Sequence, residues 1–170
     1  MAITLIRHTR VAVPPGVCYG RTDVPLALTF PAEAEAVLKK LIQPSRLVVS
    51  SPAGRCRQLA ERLGAAEVRI DARLQELDFG AWENRRWDDL PRAEVEAWAA
   101  DFVEAGPPGG ERFRALAERV ASFRQEYAAS EVVVVTHAGV IRTWRCLAEG
   151  RPLREAFAQA VEFGEVIAAG

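Results

Sequence analysis

Short apolar runs alternate along the chain with segments whose apolar residues recur at helical spacing, the pattern of an α/β layered domain. Ile3-Thr4-Leu5-Ile6 predicts a short buried strand. Residues 11–30 carry Pro14, Pro15, Gly16, Gly20 and Pro25 and read as a loop. Pro31 suits the first turn of a helix, and Ala34, Val37, Leu38, Leu41 and Ile42 follow on one face. Leu47-Val48-Val49-Ser50 predicts a second strand, with Ser51 as N-cap and Pro52 as the first residue of the next helix. Cys56, Leu59, Ala60 and Leu63 stripe that helix, and Gly64 stops it. Val68-Arg69-Ile70 predicts a third strand. Residues 91–103 read as a helix with Val95, Trp98, Ala99 and Phe102 on one face. Past the break at 106–110, a long helix turns Phe113, Leu116, Ala117, Val120 and Tyr127 inward. Val132-Val133-Val134-Val135 is four β-branched residues in a row, the mark of a central parallel strand buried on both faces. A helix over 138–149 and a strand over 163–168 close the pattern. The expected architecture is α/β: a three-layer sandwich, a mostly parallel central sheet with helices on both faces, as a single domain over 1–170.

Composition narrows the partners. The 170 residues are enough for one well-buried domain, and 49% apolar with 26% charged residues argues against disorder. A net charge of −1 gives no reason to expect nucleic acid or an acidic membrane, so any anion site must be local. Cys18, Cys56 and Cys146 are odd in number and far apart, which argues against a disulfide framework or a zinc site and favours a reduced, cytoplasmic setting. Residues 1–13 lack the basic start of a signal peptide, and no apolar run reaches the roughly 20 residues of a membrane span.

The chemistry gathers at strand ends. The chain has only two histidines, His8 and His137, and each follows an apolar strand. In an open parallel sheet ligands bind at the carboxyl ends of strands. Ser50-Ser51 followed by Arg55 ends a third strand, so three ends supply two imidazoles and two guanidiniums, Arg7 and Arg55. Arg55 falls in a helix first turn, where the macrodipole disfavours a cation unless an anion lies between them. A phosphate would fit there, held by the helix start and an arginine fork. A neutral imidazole can attack phosphorus while its second nitrogen holds a proton for an orienting acceptor. Arginines can meet the charge on the equatorial oxygens without metal or other cofactor. Glu76 can supply a proton to the leaving alcohol, since a nearby phosphate dianion favours the protonated carboxyl. Asp78 is the alternative acid.

Four segments in order carry a resemblance: Leu5-Ile6-Arg7-His8-Thr9, Ser50-Ser51-Pro52-Ala53-Gly54-Arg55, Leu74-Gln75-Glu76-Leu77-Asp78-Phe79-Gly80-Ala81-Trp82-Glu83, and Val135-Thr136-His137-Ala138-Gly139. With them the chain resembles, end to end, the histidine phosphatase (phosphoglycerate mutase-like) superfamily. The resemblance implies His8 as nucleophile, Glu76 as proton donor, and Arg7, Arg55 and His137 as the phosphate pocket. Thr9 stands where Arg-His-Gly is usual and Asn84 where Trp-Glu-Gly is usual. Arg7-His8-Thr9-Arg10-Val11 with Gly16-Val17-Cys18-Tyr19-Gly20-Arg21-Thr22-Asp23-Val24-Pro25-Leu26 is similar to the alpha-ribazole phosphatase branch, which implies alpha-ribazole 5'-phosphate as substrate.

Further roles follow as expectations. Arg21 and Thr9 are candidates for substrate binding, with an ion pair holding the loop as the competing role for Arg21 and Asp23. Trp87 is a candidate lid residue. The partner expected is a small phosphorylated metabolite, with a homodimer compatible. A broad sugar-phosphate phosphatase, a phosphoglycerate mutase, a non-catalytic phosphate-binding module and a two-histidine metallohydrolase are the competing functions.

Overall fold

The computed structural model describes residues 2–41 and 45–169. Ile42, assigned by periodicity to the first helix, lies outside them. The elements are β1 (Ile3–Arg7), α1 (Phe30–Lys40), β2 (Leu47–Ser50), α2 (Gly54–Arg62), β3 (Glu67–Ile70), α3 (Arg92–Ala100), α4 (Phe113–Glu126), β4 (Val132–Thr136), α5 (Ala138–Glu149) and β5 (Val166–Ala168). The strands lie in the order β3-β2-β4-β1-β5. The first four run parallel, and β5 joins β1 antiparallel.

The valine strand β4 sits at the centre with all five residues buried. Strand alternation then sorts the sheet's side chains into two layers. Leu5, Val49, Val132 and Val134 pack against Phe113, Leu116 and Val120 of α4 and Ile141 and Trp144 of α5. Ile6, Val48, Val133 and Val135 pack against Ala34 and Val37 of α1 and Cys56, Leu59 and Ala60 of α2. Register pairs residues of like face, Leu5 with Val134, Ile6 with Val135 and Val48 with Val133. The result is the three-layer α/β sandwich expected from the pattern.

Three boundaries differ from the sequence reading. The helix after β2 starts at Gly54, not at Pro52, and its N-cap Ala53 offers no side-chain cap. The Ser51 hydroxyl is engaged by the site instead. The helix expected over 91–103 stops at Ala100, where Asp101 leaves helical geometry with φ −150°, so Phe102 packs from a turn. The last strand begins at Val166 rather than Phe163, because Gly164 turns the chain with φ +65°.

Candidate active site

Because β1, β4 and β2 are parallel neighbours, their carboxyl ends open on one edge. The ladder runs one residue further, with His8 N–H donating to the Thr136 carbonyl at 3.0 Å and Ser51 N–H to the Val135 carbonyl at 3.0 Å. His8, His137 and Ser51 therefore leave adjacent strands side by side, and the two imidazole centroids lie 5.2 Å apart.

The tautomers of both rings follow from their partners. His8 Nδ1 lies 2.8 Å from the Thr9 carbonyl, which can only accept, so Nδ1 carries the proton and Nε2 keeps its lone pair. Burial, then the Arg55 and Arg7 charges, push the His8 pKa down to about 3 against the Thr9 hydrogen bond. The ring is neutral at pH 7. Arg55 Nη2, a donor only, lies 3.3 Å from His137 Nδ1, so that nitrogen accepts. His137 Nε2–H is then directed at the Ser51 hydroxyl, 2.8 Å away. Burial first, then His8 and Arg55, hold His137 well below the usual histidine range.

Arg55 is buried beneath this pair and donates to the carbonyls of Gly20 at 2.6 Å and Thr22 at 2.9 Å. The anion that a first-turn arginine calls for is the Asp23 carboxylate, 4.0 Å from Arg55 Nη1 and 3.0 Å from the Gly54 amide. That carboxylate caps α2 in place of Ser51. Arg7 donates to the Val161 carbonyl at 2.6 Å and lies over the Phe163 ring at 3.7 Å. The Nε–H of each of these arginines is buried without a protein partner among the described residues, a costly state that an oxyanion ligand is suited to relieve.

Glu76 reaches the same place from the segment after β3. Its carboxylate accepts from the Gly139 amide at 3.0 Å and from its neighbour Leu77 at 3.0 Å. Arg7, His8, Arg55, Glu76, His137 and Arg142 line a cavity of about 230 Å³. Its apolar lining comes from Val17, Leu77, Phe79, Trp87, Phe113 and Phe157, with Tyr19 also at the wall. A Cβ on Gly139 would lie 2.2 Å from Glu76 Oε1. Gly139→Ala should still fold, since the clash falls on the end of a side chain that can swing away. Yet it should lower kcat roughly 10²-fold by displacing the carboxylate. Steady-state kinetics beside a thermal melt check this, and a parallel loss of activity and stability would contradict it.

The two departures from the family pattern have different outcomes. Asn84 has φ +62°, the left-handed region that glycine fills easily and asparagine tolerates best among the rest. The turn is kept, and Glu83 before it latches the loop over the site. Its carboxylate accepts from the amides of Gly20, Arg21, Thr22 and Phe79 at 3.0, 2.9, 3.3 and 3.0 Å. Burial opposes its ionisation, but hydrogen bonds from Thr22, Gly20, Phe79 and Arg21 outweigh burial and hold it below the usual glutamate range. Asn84→Gly should be neutral within a few tenths of a kcal/mol, whereas Asn84→Val should cost about 1–2 kcal/mol in urea unfolding. Thr9 is not among the described residues with positive φ, so its backbone needs no glycine.

The structure gathers His8, His137, Arg7, Arg55 and Glu76 around one cavity. It places Thr9 elsewhere: its side chain is buried, Oγ1 has no partner among the described residues, and its carbonyl is the part that meets His8. Arg21 pairs with Asp78 at 3.6 Å and Glu111 at 3.4 Å and lines not this cavity but an adjoining one, which shares Glu76 and His137 with it. The Asp78 side chain instead accepts from the Gly80 amide at 2.8 Å. Cys56 Sγ lies 3.5 Å from His137 Nε2, but burial raises its pKa to about 12, so it is a thiol. Trp87 does line the cavity, while Trp82 and Trp144 are buried. Sequence reasoning missed Arg142, Tyr19, Phe113 and Phe157. Arg142 had a signal, since it lies on the helix face of Ala138 and Gly139 at i+4 and i+3.

Paired imidazoles beside the buried Arg55 and half-buried Arg7 at the ends of parallel strands are suited to a phosphoryl group. Comparison with known proteins agrees. The chain belongs to the histidine phosphatase superfamily (branch 1), whose family model matches residues 3–167, and it is a phosphomonoester hydrolase. The adenosylcobalamin/alpha-ribazole phosphatase of Escherichia coli (strain K12) is 33% identical over 156 residues, covering 83% of this chain and 75% of the relative. The crystal structure of the alpha-ribazole phosphatase from Shigella flexneri superposes with a TM-score of 0.87 at 30% identity, covering 99% of this chain and 89% of that one. A mycobacterial glucosyl-3-phosphoglycerate phosphatase superposes with a TM-score of 0.84 at 26% identity, covering 98% and 88%. Among the described residues no helix is long and apolar enough to cross a membrane.

Proposed function

We propose that the chain hydrolyses a small phosphomonoester through a phosphohistidine at His8, and that the ester is alpha-ribazole 5'-phosphate. The observation that carries the mechanism is the Thr9 carbonyl at His8 Nδ1, which leaves Nε2 unprotonated on a neutral ring. Nε2 attacks phosphorus, the P–O bond to the alcohol breaks, and the Glu76 carboxyl gives the departing oxygen its proton. Positive charge then develops on the phosphorylated ring, where the Thr9 carbonyl stabilises it. In the second half a water gives its proton to the Glu76 carboxylate and attacks phosphorus. The N–P bond breaks, and inorganic phosphate leaves. The Nε–H groups of Arg7 and Arg55 provide fixed donors for the equatorial oxygens, beside His137 at the pocket wall, so little reorganisation accompanies charge transfer.

The substrate assignment rests on the relatives and on the aromatic wall. Phe79 and Trp87 meet edge to face at 5.6 Å, and Phe113 and Phe157 lie 5.4 Å apart. Such faces suit the flat, apolar base of alpha-ribazole better than a sugar or a carboxylate. A panel of alpha-ribazole 5'-phosphate, 3-phosphoglycerate, glucose 6-phosphate and p-nitrophenyl phosphate tests it. The ribazole ester should have the highest kcat/KM. Parity with p-nitrophenyl phosphate would refute the narrow assignment. Rapid quench with labelled substrate should trap an acid-labile, base-stable phosphoprotein that maps to His8.

A further inference from the structure

We propose that Arg119 of α4, working with Glu111, is a positioning residue for the acid Glu76; this rests on the acid role given to Glu76 above. Arg119 never reaches the cavity lining. Its guanidinium instead gathers three main-chain oxygens of the segment that carries Glu76. Nη1 donates to the carbonyls of Arg73 at 2.6 Å and Gln75 at 2.7 Å, and Nη2 to that of Glu76 itself at 3.2 Å. Nε and Nη2 also form a two-point pair with the Glu111 carboxylate at 2.8 and 2.9 Å. Glu111 in turn accepts from the Asp78 amide at 3.4 Å and from Arg21 at 3.4 Å.

The segment needs this, because past the short turn at 72–74 it has no helix or strand to satisfy its carbonyls. From the sheet side, Thr136 Oγ1 donates to the Leu74 carbonyl at 2.8 Å. From the α4 side, the planar five-donor fork of an arginine can take several diverging acceptors at fixed angles, which a lysine cannot. Glu76 is thereby held at both ends. Its carbonyl faces Arg119, and its carboxylate spans to the Gly139 amide at 3.0 Å on the cavity edge. Turning the chain at residue 76 would swing the carboxylate off the leaving oxygen, and an error near 1 Å costs roughly 10²-fold in rate.

The test compares two leaving groups. The alcohol of glycerol 2-phosphate needs a proton to depart, whereas p-nitrophenolate leaves without one. Rapid-quench first turnovers isolate transfer to His8. Glu76→Gln should slow the glycerol ester roughly 10²–10⁴-fold and p-nitrophenyl phosphate far less. Arg119→Met should show the same selectivity, at roughly 10²-fold on the glycerol ester, with Arg119→Lys intermediate. Added to Glu76→Gln, Arg119→Met should cost nothing more, because residues that act as a unit are non-additive. Arg119→Met strands three carbonyls, so Glu111→Gln, which keeps the side-chain shape, serves as a second variant with the same expected selectivity. Equal slowing of both esters by the Arg119 and Glu111 variants, while Glu76→Gln remains selective, would overturn the positioning role alone. No selectivity in Glu76→Gln would overturn the acid assignment and this inference with it.

Discussion

His8→Ala should abolish turnover, lowering kcat by at least roughly 10⁴-fold on every phosphomonoester, while the protein still folds and binds inorganic phosphate weakly. No neighbour can take over. The lone pair of His137 Nδ1 faces Arg55, and its Nε2 carries a proton directed at Ser51. Cys56 is a thiol with its pKa near 12. Retained turnover, or a phosphoprotein on another residue, would sink the mechanism. The same ring sets a pH signature in stability. His8 titrates at about 3 in the fold and near 6.5 in the unfolded chain, so between those values the unfolded chain binds the extra proton. Stability is therefore full above pH 6.5 and declines as pH falls toward 3, by roughly 1.4 kcal/mol per pH unit for one such ring. His137, also depressed, adds to the same slope. Urea unfolding from pH 7.5 to 4.5 should show a shallower decline for His8→Ala than for the parent. An equal slope in both would mean that His8 is not held neutral.

Arg55→Met should damage both activity and stability while leaving both histidines in place. A fall of roughly 10³-fold in kcat/KM is expected from losing one fixed donor to the developing charge. Stability should drop by about 2–4 kcal/mol, because the carbonyls of Gly20 and Thr22 lose a charged donor inside the fold. A third effect separates this arginine from a simple binding charge. Without Nη2 at His137 Nδ1, the imidazole is free to change tautomer and stop presenting Nε2–H. Arg55→Lys should recover part of the binding but not the three-way geometry. Nitrogen chemical shifts of His137 in the variant report the tautomer. An unchanged spectrum would confine Arg55 to charge and packing.

The parts of the fold that were legible were those set by local patterning. Four valines in a row have no comfortable place except a strand buried on both faces, and β4 is that strand. His8 and His137 were legible because the residue after a buried parallel strand opens on the ligand edge. Apart from Trp87, the cavity wall was not legible, since Val17, Phe79, Phe113 and Phe157 converge from separate segments that share no sequence period. Ser51 misled for a different reason. A serine before a proline is a good N-cap by local rules, but its hydroxyl lies 2.8 Å from an imidazole while a distant aspartate caps the helix. Arg55 gave a clue that Asp23 answers in part, for a carboxylate already stands at the helix start, 4.0 Å from Nη1. Asn84 marks the limit of reading a motif by its letters. What that position requires is a backbone angle, and asparagine supplies it where glycine is usual.

The phosphate-facing groups and the aromatic wall come from different parts of the chain. Most of the former stand on strand ends, or one turn into a helix, and are tied into the sheet. Trp87 and Phe157 stand on connecting segments that supply none of the groups assigned to the chemistry, whereas Phe79 shares its segment with Glu76. Substitutions can therefore reshape what the cavity admits without first passing through a catalytically dead sequence. A lineage carrying this scaffold can drift from one alcohol to another by neutral steps in its loops, with phosphoryl transfer maintained throughout.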